Sequence, residues 1–254
     1  MKRAILLCLV GFFAASVEAG DLPATIREVK PSVVGVGTYM VLRQQQDKLM
    51  GTGFVVGGGG YAVTNSHVVP EELDEGRREA VAVYIPAGGT QAQRRPAKVV
   101  RRDPAHDLCL LRFQGPPTRA LRLGRADDVE EGESIAFTGF PILNAIGLHP
   151  VTHRGIVSAI TPYVMPVSAG SQLRPDVLRK LARPFQVFQL DATAYPGNSG
   201  SPVYELESGR VVGIINSVFI KQTKEMAITD PSGITYAIPV TYLRKLLDGA
   251  GVKY

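Results

Sequence analysis

Short apolar runs punctuated by glycine and proline dominate the chain, and they read as strands. Runs at 32–38, 51–56, 61–63, 81–85, 97–102 and 108–113 predict about six strands, enough to close one barrel. Gln114-Gly115-Pro116-Pro117-Thr118 then reads as a crossing. A second set follows at 134–138, 152–160, 187–190, 201–204, 211–217 and 235–238. Helical spacing marks the two ends. Leu22, Ile26 and Val29 predict a short helix before Pro31, and Tyr242, Leu243, Leu246 and Leu247 predict another before Gly249. The expected fold is all-β: two six-stranded antiparallel barrels, one over 20–118 and one over 119–254, flanked by short N- and C-terminal helices.

The first residues stand apart. Lys2 and Arg3, an apolar run from Ala4 to Ala15 and then Val17-Glu18-Ala19 predict a secretory signal peptide over 1–19. The run falls short of the roughly 20 residues that span a bilayer. No other segment is long and apolar enough, so the expected mature protein is exported and lacks stable membrane insertion. Apolar residues make up 45% and charged residues 20%, which leaves material for a sizeable core.

Charge and cysteine narrow the possibilities. The formal charge of +5 becomes +4 once Lys2, Arg3 and Glu18 leave with the signal. Arg94, Arg95, Arg101 and Arg102 are mixed with acids and carry no aromatic stacking pattern, which argues against a nucleic-acid partner. Cys8 lies in the signal, so Cys109 is left without an internal disulfide partner. Within the run 108–111 it reads as a small core residue.

Three short segments carry candidate chemistry: Thr64-Asn65-Ser66-His67, His106-Asp107-Leu108 and Pro196-Gly197-Asn198-Ser199-Gly200-Ser201-Pro202. A serine hydroxyl needs an imidazole to take its proton and a carboxylate to orient that imidazole. Here the three types come in order, each at the end of a predicted strand, 40 and 92 residues apart. Ser199 is the expected nucleophile, His67 the base and Asp107 the orienting acid. The backbone N–H groups of Gly197 and Ser199 would form the oxyanion hole. His106 is the rival imidazole and Asp103 the rival acid. Gly57-Gly58-Gly59-Gly60 lacks the Gly-Lys-Ser/Thr of a phosphate loop and reads as a hairpin turn. His149 and His153 have a zinc-helix spacing, but Pro150 intervenes. No cofactor and no metal are implied.

With these motifs in place the chain resembles a chymotrypsin-fold, trypsin-like serine protease, and is most similar to the Deg/HtrA-like protease domain. The likeness runs over 29–34, 51–56, 64–69, 107–111, 155–160, the Ser199 turn and 236–239. It implies two chymotrypsin-like barrels, the triad above, with Asp107 favoured over Asp103, and polypeptide substrates cleaved in an unfolded or extended state, for instance in protein quality control. Periplasm is preferred to release from the cell. A homo-oligomer is compatible with the family, but the sequence does not fix the oligomeric state.

Departures from relatives refine the expectation. Asn198 stands where pancreatic-type enzymes carry Asp, so activation by a freed N-terminus is not expected. Ser201 replaces the usual Gly of Deg/HtrA-like chains and resembles glutamyl endopeptidases instead. The histidine that such a pocket commonly uses would fall at Ile215, and Thr193 offers a hydrogen bond without charge. Thr193, Ala194, Ile215 and Val218 therefore suggest a pocket for small or medium apolar side chains. The chain stops at Tyr254, so no PDZ domain is expected. The long stretch 162–184 reads equally as a regulator or a surface loop, and 71–79 reads as a solvated loop. Two alternatives remain: a selective secreted protease of glutamyl-endopeptidase-like type, and a catalytically silent binding protein on the same scaffold.

Overall fold

The computed structural model describes residues 21–88, 91–141, 148–163, 185–216 and 234–254. The first barrel comprises β1 (Val33–Tyr39), β2 (Asp47–Val56), β3 (Tyr61–Asn65), β4 (Ala80–Pro86), β5 (Ala92–Asp103) and β6 (Leu108–Phe113). It closes in the order β1-β2-β3-β6-β5-β4. The second comprises β7 (Ser134–Gly139), β8 (Val151–Pro162), β9 (Gln186–Asp191), β10 (Pro202–Glu205), β11 (Val211–Asn216) and β12 (Ile234–Pro239). It closes in the order β10-β11-β12-β9-β8-β7, and every pairing in both barrels is antiparallel. The α-helices among the described residues are α1 (Leu22–Val29) and α2 (Val240–Asp248). None of the helices among the described residues is long and apolar enough to cross a membrane.

Alternation along β6 explains why its sequence is apolar without a break. Cys109, Leu111 and Phe113 point into the first barrel with Val34, Val36 and Val55. Leu108 and Leu110 point the other way, into a seam where Phe54 and Val63 meet Tyr204, Ile214 and Ile238 of the second barrel. Leu243, Leu246 and Leu247 of α2 complete that seam. Each fully buried side chain of this kind contributes roughly 1.5–3 kcal/mol, so the seam contributes substantially to holding the two barrels together. The interior of the second barrel is separate, built from Phe137, Val157, Phe188, Leu190 and Ile215.

The connecting segment is pinned on both sides of the seam. The Leu121 N–H donates to the Val55 carbonyl at 2.9 Å, and the Gly124 N–H to that of Val211 at 2.8 Å. Arg244 of α2 then donates to the carbonyls of Leu123 and Gly124.

Several strands run further than their apolar runs predict. β5 starts at Ala92 because its arginines have partners: the Arg94 guanidinium lies 3.6 Å from the Tyr39 ring centroid and 2.8 Å from Asp47, and Arg95 donates to the Pro116 carbonyl. The stretch 71–79 is also not wholly solvated. Glu79 accepts a 2.6 Å hydrogen bond from the Thr38 hydroxyl and pairs with Arg43 at 3.2 Å, and these contacts, led by Thr38, hold its carboxyl below the usual range against burial. The predicted signal over 1–19 and most of 162–184 lie outside the described residues.

Candidate active site

β3 ends in a short 3-10 turn, Ser66–Val68, which carries His67. Arg102 of β5 fastens that turn by donating to the carbonyls of Ser66 (3.0 Å), Val69 (3.0 Å) and Pro70 (2.7 Å). Asp107 lies in the tight turn between β5 and β6 with φ of +52°, a left-handed backbone that is uncommon away from glycine. Its carbonyl accepts from the Ser66 N–H (3.0 Å) and the Asn65 side chain (3.1 Å), so the two turns interlock.

The Asp107 carboxylate serves three donors. Oδ1 accepts the His67 backbone N–H at 2.9 Å, Oδ2 lies 2.6 Å from His67 Nδ1, and Asn216 Nδ2 donates to Oδ2 at 2.7 Å. A carboxylate only accepts, so Nδ1 carries the proton in the neutral ring and Nε2 is left with a lone pair. Asn216 ends β11, so the second barrel reaches the acid of the first.

The Ser199 turn is held across the same seam, chiefly by Thr52 of β2. The Thr52 N–H donates to the Ser199 carbonyl (2.8 Å), while its hydroxyl donates to the Gly197 carbonyl (2.7 Å) and accepts from the Phe140 N–H (3.0 Å). The Gly200 N–H donates to the Ile215 carbonyl at 2.9 Å. Glycine is required at 200, where φ is +88° and a Cβ would stand 2.0 Å from the Thr52 carbonyl oxygen. Gly197, with φ of +103°, turns the chain just before the serine. Ser199 itself is 6% exposed.

The predicted pocket residues come together in part. Ala194 packs against the second barrel's interior, where Ile215 is fully buried. Thr193 is half-buried in the same stretch, whose Ala194 N–H donates to the Thr235 hydroxyl at 3.0 Å. Val218 lies outside the described residues.

His106 and Asp103, the rivals, pair with each other at 2.6 Å. Burial opposes ionisation of Asp103, but the hydrogen bonds and charge of His106, with the N–H groups of His106 and Ala105, hold its carboxyl below the usual range. Cys109 is buried, and burial pushes its thiol up to about 11. His149 is exposed, whereas His153 stacks on Phe137 at 4.8 Å and lies 6.1 Å from the Tyr195 ring. Burial holds the His153 imidazole below its ordinary value. Among the described residues no three His, Cys, Asp or Glu side chains cluster as metal ligands.

Sequence reasoning missed Thr52, Arg102 and Asn216 as residues that place this site. A hydroxyl between two glycines in Gly51-Thr52-Gly53, and a lone amide closing the apolar strand Val211–Asn216, were the available signals.

Residues 51–214 match the trypsin-like peptidase domain family. The chain is 31% identical over 198 residues to a probable periplasmic serine endoprotease, DegP-like, of Ectopseudomonas mendocina (strain ymp), a match covering 78% of this chain and 34% of the relative. It is 35% identical over 201 residues to mitochondrial serine protease HTRA2 of Bos taurus, covering 78% and 35% respectively. The chain thus spans about a third of the length of these relatives. Among solved structures it resembles the HtrA-type protease AlgW with decapeptide, with a TM-score of 0.64, 22% identity and coverage of 90% of this chain and 67% of that one. That likeness extends to the whole two-barrel fold. With most of both barrels inside the matched residues, the chain belongs to the trypsin-like peptidase family.

Proposed function

We propose that the chain is an exported serine endopeptidase that hydrolyses peptide bonds in unfolded or extended polypeptides. The observation that carries this reading is the hydrogen-bonded line from Asn216 through Asp107 to His67, with the Ser199 turn fastened beside it on Thr52. Ser199 Oγ attacks the scissile carbonyl while His67 Nε2 takes its proton. The imidazolium is stabilised by Asp107 and then protonates the leaving amine. Water repeats the sequence in reverse to release the acyl group. The N–H groups of Gly197 and Ser199 receive the negative charge that develops on the carbonyl oxygen.

Kinship with DegP-like and HTRA2 proteases supports polypeptide substrates, and the N-terminal segment 1–19 supports export to the periplasm or beyond. Ala194, Ile215 and Val218, with Thr193, favour a small or medium apolar residue at the cleavage position. A fluorophosphonate probe tests the central reading without a known substrate. The purified chain should label and Ser199→Ala should not; a folded wild-type chain that stays unlabelled overturns it. A peptide-library profile dominated by acidic residues would refute the apolar pocket.

A further inference from the structure

Next to the Asp107–His67 pair stands a second imidazole and carboxylate that the proposed mechanism does not use. Nδ1 of His106 lies 2.6 Å from Oδ2 of Asp103, while Oδ1 accepts from the N–H groups of Ala105 (3.1 Å) and His106 (3.3 Å). Asp103 therefore ties together the turn that delivers Asp107.

The faces of the His106 ring are occupied as well. Tyr242 of α2 stacks on it with 4.1 Å between centroids and 21° between planes, and Phe185 meets it edge-on at 5.0 Å and 74°. Phe185 also touches Tyr242 at 5.4 Å and Tyr163 at 5.5 Å. The Phe185 carbonyl accepts the Tyr163 N–H at 2.8 Å, so these residues form the neck between β8 and β9. The Tyr242 hydroxyl accepts the Gln186 N–H at 3.3 Å. A turn of the first barrel, a neck of the second and the C-terminal helix thus converge on one imidazole.

This convergence matters because the next residue is under backbone strain. The left-handed conformation of Asp107, with φ of +52°, is disfavoured in a residue with a Cβ, and it persists when its surroundings over-determine it. Ser66 and Asn65 hold its carbonyl on one side. We propose that His106 is a positioning residue that holds the other side: its clamped ring fixes the backbone of Asp107, and through Asp107 the imidazole of His67, in register with the neck at Tyr163 and Phe185. The inference rests on reading Ser199, His67 and Asp107 as the triad. An aromatic ring, rather than a proton carrier, is what this role demands.

Four chains test it: wild type, His106→Ala, His106→Phe and His106→Asn, each checked for folding by circular dichroism. The rate of fluorophosphonate labelling at saturating probe should fall about tenfold or more in His106→Ala, with the half-saturating probe concentration unchanged. His106→Phe, which keeps the stacking, should recover to within about threefold of wild type, and His106→Asn should not. A folded His106→Ala that labels at the wild-type rate overturns the proposal, as does a Phe variant no better than Ala.

A second readout does not depend on turnover. The low-field proton resonance of the His67–Asp107 hydrogen bond, told apart from that of His106–Asp103 by its loss in His67→Ala, should shift or broaden in His106→Ala and return in His106→Phe. An unchanged resonance overturns the coupling. If wild type does not label at all, the catalytic reading fails and this resonance alone decides the coupling.

Discussion

Asn216 donates its side-chain amide to Oδ2 of Asp107 over 2.7 Å, and the same oxygen faces Nδ1 of His67 at 2.6 Å. One carboxylate oxygen therefore joins a residue of the second barrel to the imidazole of the first. Asn216 is fully buried, so water does not replace it easily. A hydrogen bond to a charged group contributes roughly 1.5–3 kcal/mol. Asn216→Ala should therefore lower kcat/KM by roughly 10- to 100-fold, with most of the loss in kcat. Asn216→Asp should be worse, because it sets a like charge against Asp107. Steady-state kinetics on an unfolded protein substrate checks both, and an alanine variant at wild-type rate would remove Asn216 from the account.

Arg102 holds the His67 turn by donating to three backbone carbonyls, those of Ser66, Val69 and Pro70. Its planar fork spreads these bonds in a way that a lysine ammonium does not reproduce. Arg102→Lys should keep the charge yet lower kcat by about 10-fold or more through misplacement of His67, and Arg102→Ala should lower it further. Measured at matched folded fraction, equal rates for Arg102→Lys and wild type would show that charge alone suffices.

Acid should weaken the fold in part through Glu79. Its carboxyl is held below the ordinary value of 4.5 in the folded state, chiefly by the Thr38 hydroxyl. A depressed folded value means stability that is fully present above the unfolded value and lost as pH falls through the folded one. The melting temperature of Glu79→Gln should therefore lie below that of wild type at pH 7, and the gap should close as pH drops from about 5 toward 3. A gap that stays constant over that range would show that ionisation of Glu79 is not the cause.

Cys109 should be inert in the native protein. Its thiol is buried and pushed up to about 11, so the thiolate needed for reaction is scarce at neutral pH. Alkylation at pH 7.5 should be negligible until denaturant is added and then complete, as mass spectrometry can follow. Rapid modification of the folded chain would place the thiol in a more open setting.

The architecture was legible in the sequence because the seam makes many strands apolar on both faces, as Leu108, Cys109, Leu110 and Leu111 show. The ends of strands were harder to see. Gln93, Arg94 and Arg95 look like a loop until Tyr39, Asp47 and the Pro116 carbonyl are brought to them by folding. His67, Asp107 and Ser199 were legible as types in order, and the fold unites His67 with Asp107 directly. Thr52 and Asn216 were not, since their roles rest on long-range hydrogen bonds, spanning 145 residues of chain from Thr52 to Gly197 and 109 from Asn216 to Asp107, which no local pattern encodes. His106 was visible as a rival base, whereas its stacking against Tyr242 depends on where the last helix docks.

Thr52 to Gly197 and Asn216 to Asp107 both bridge bodies whose own ladders do not depend on them. The site's geometry is therefore set by how the two barrels register across the seam. A slip of about 1 Å between the barrels leaves every strand pairing intact yet costs on the order of 100-fold in rate. Warming the protein should silence it some degrees before the barrels melt, and cooling should restore it, so that loss of activity records a small slip along the shared seam rather than the unravelling of either barrel.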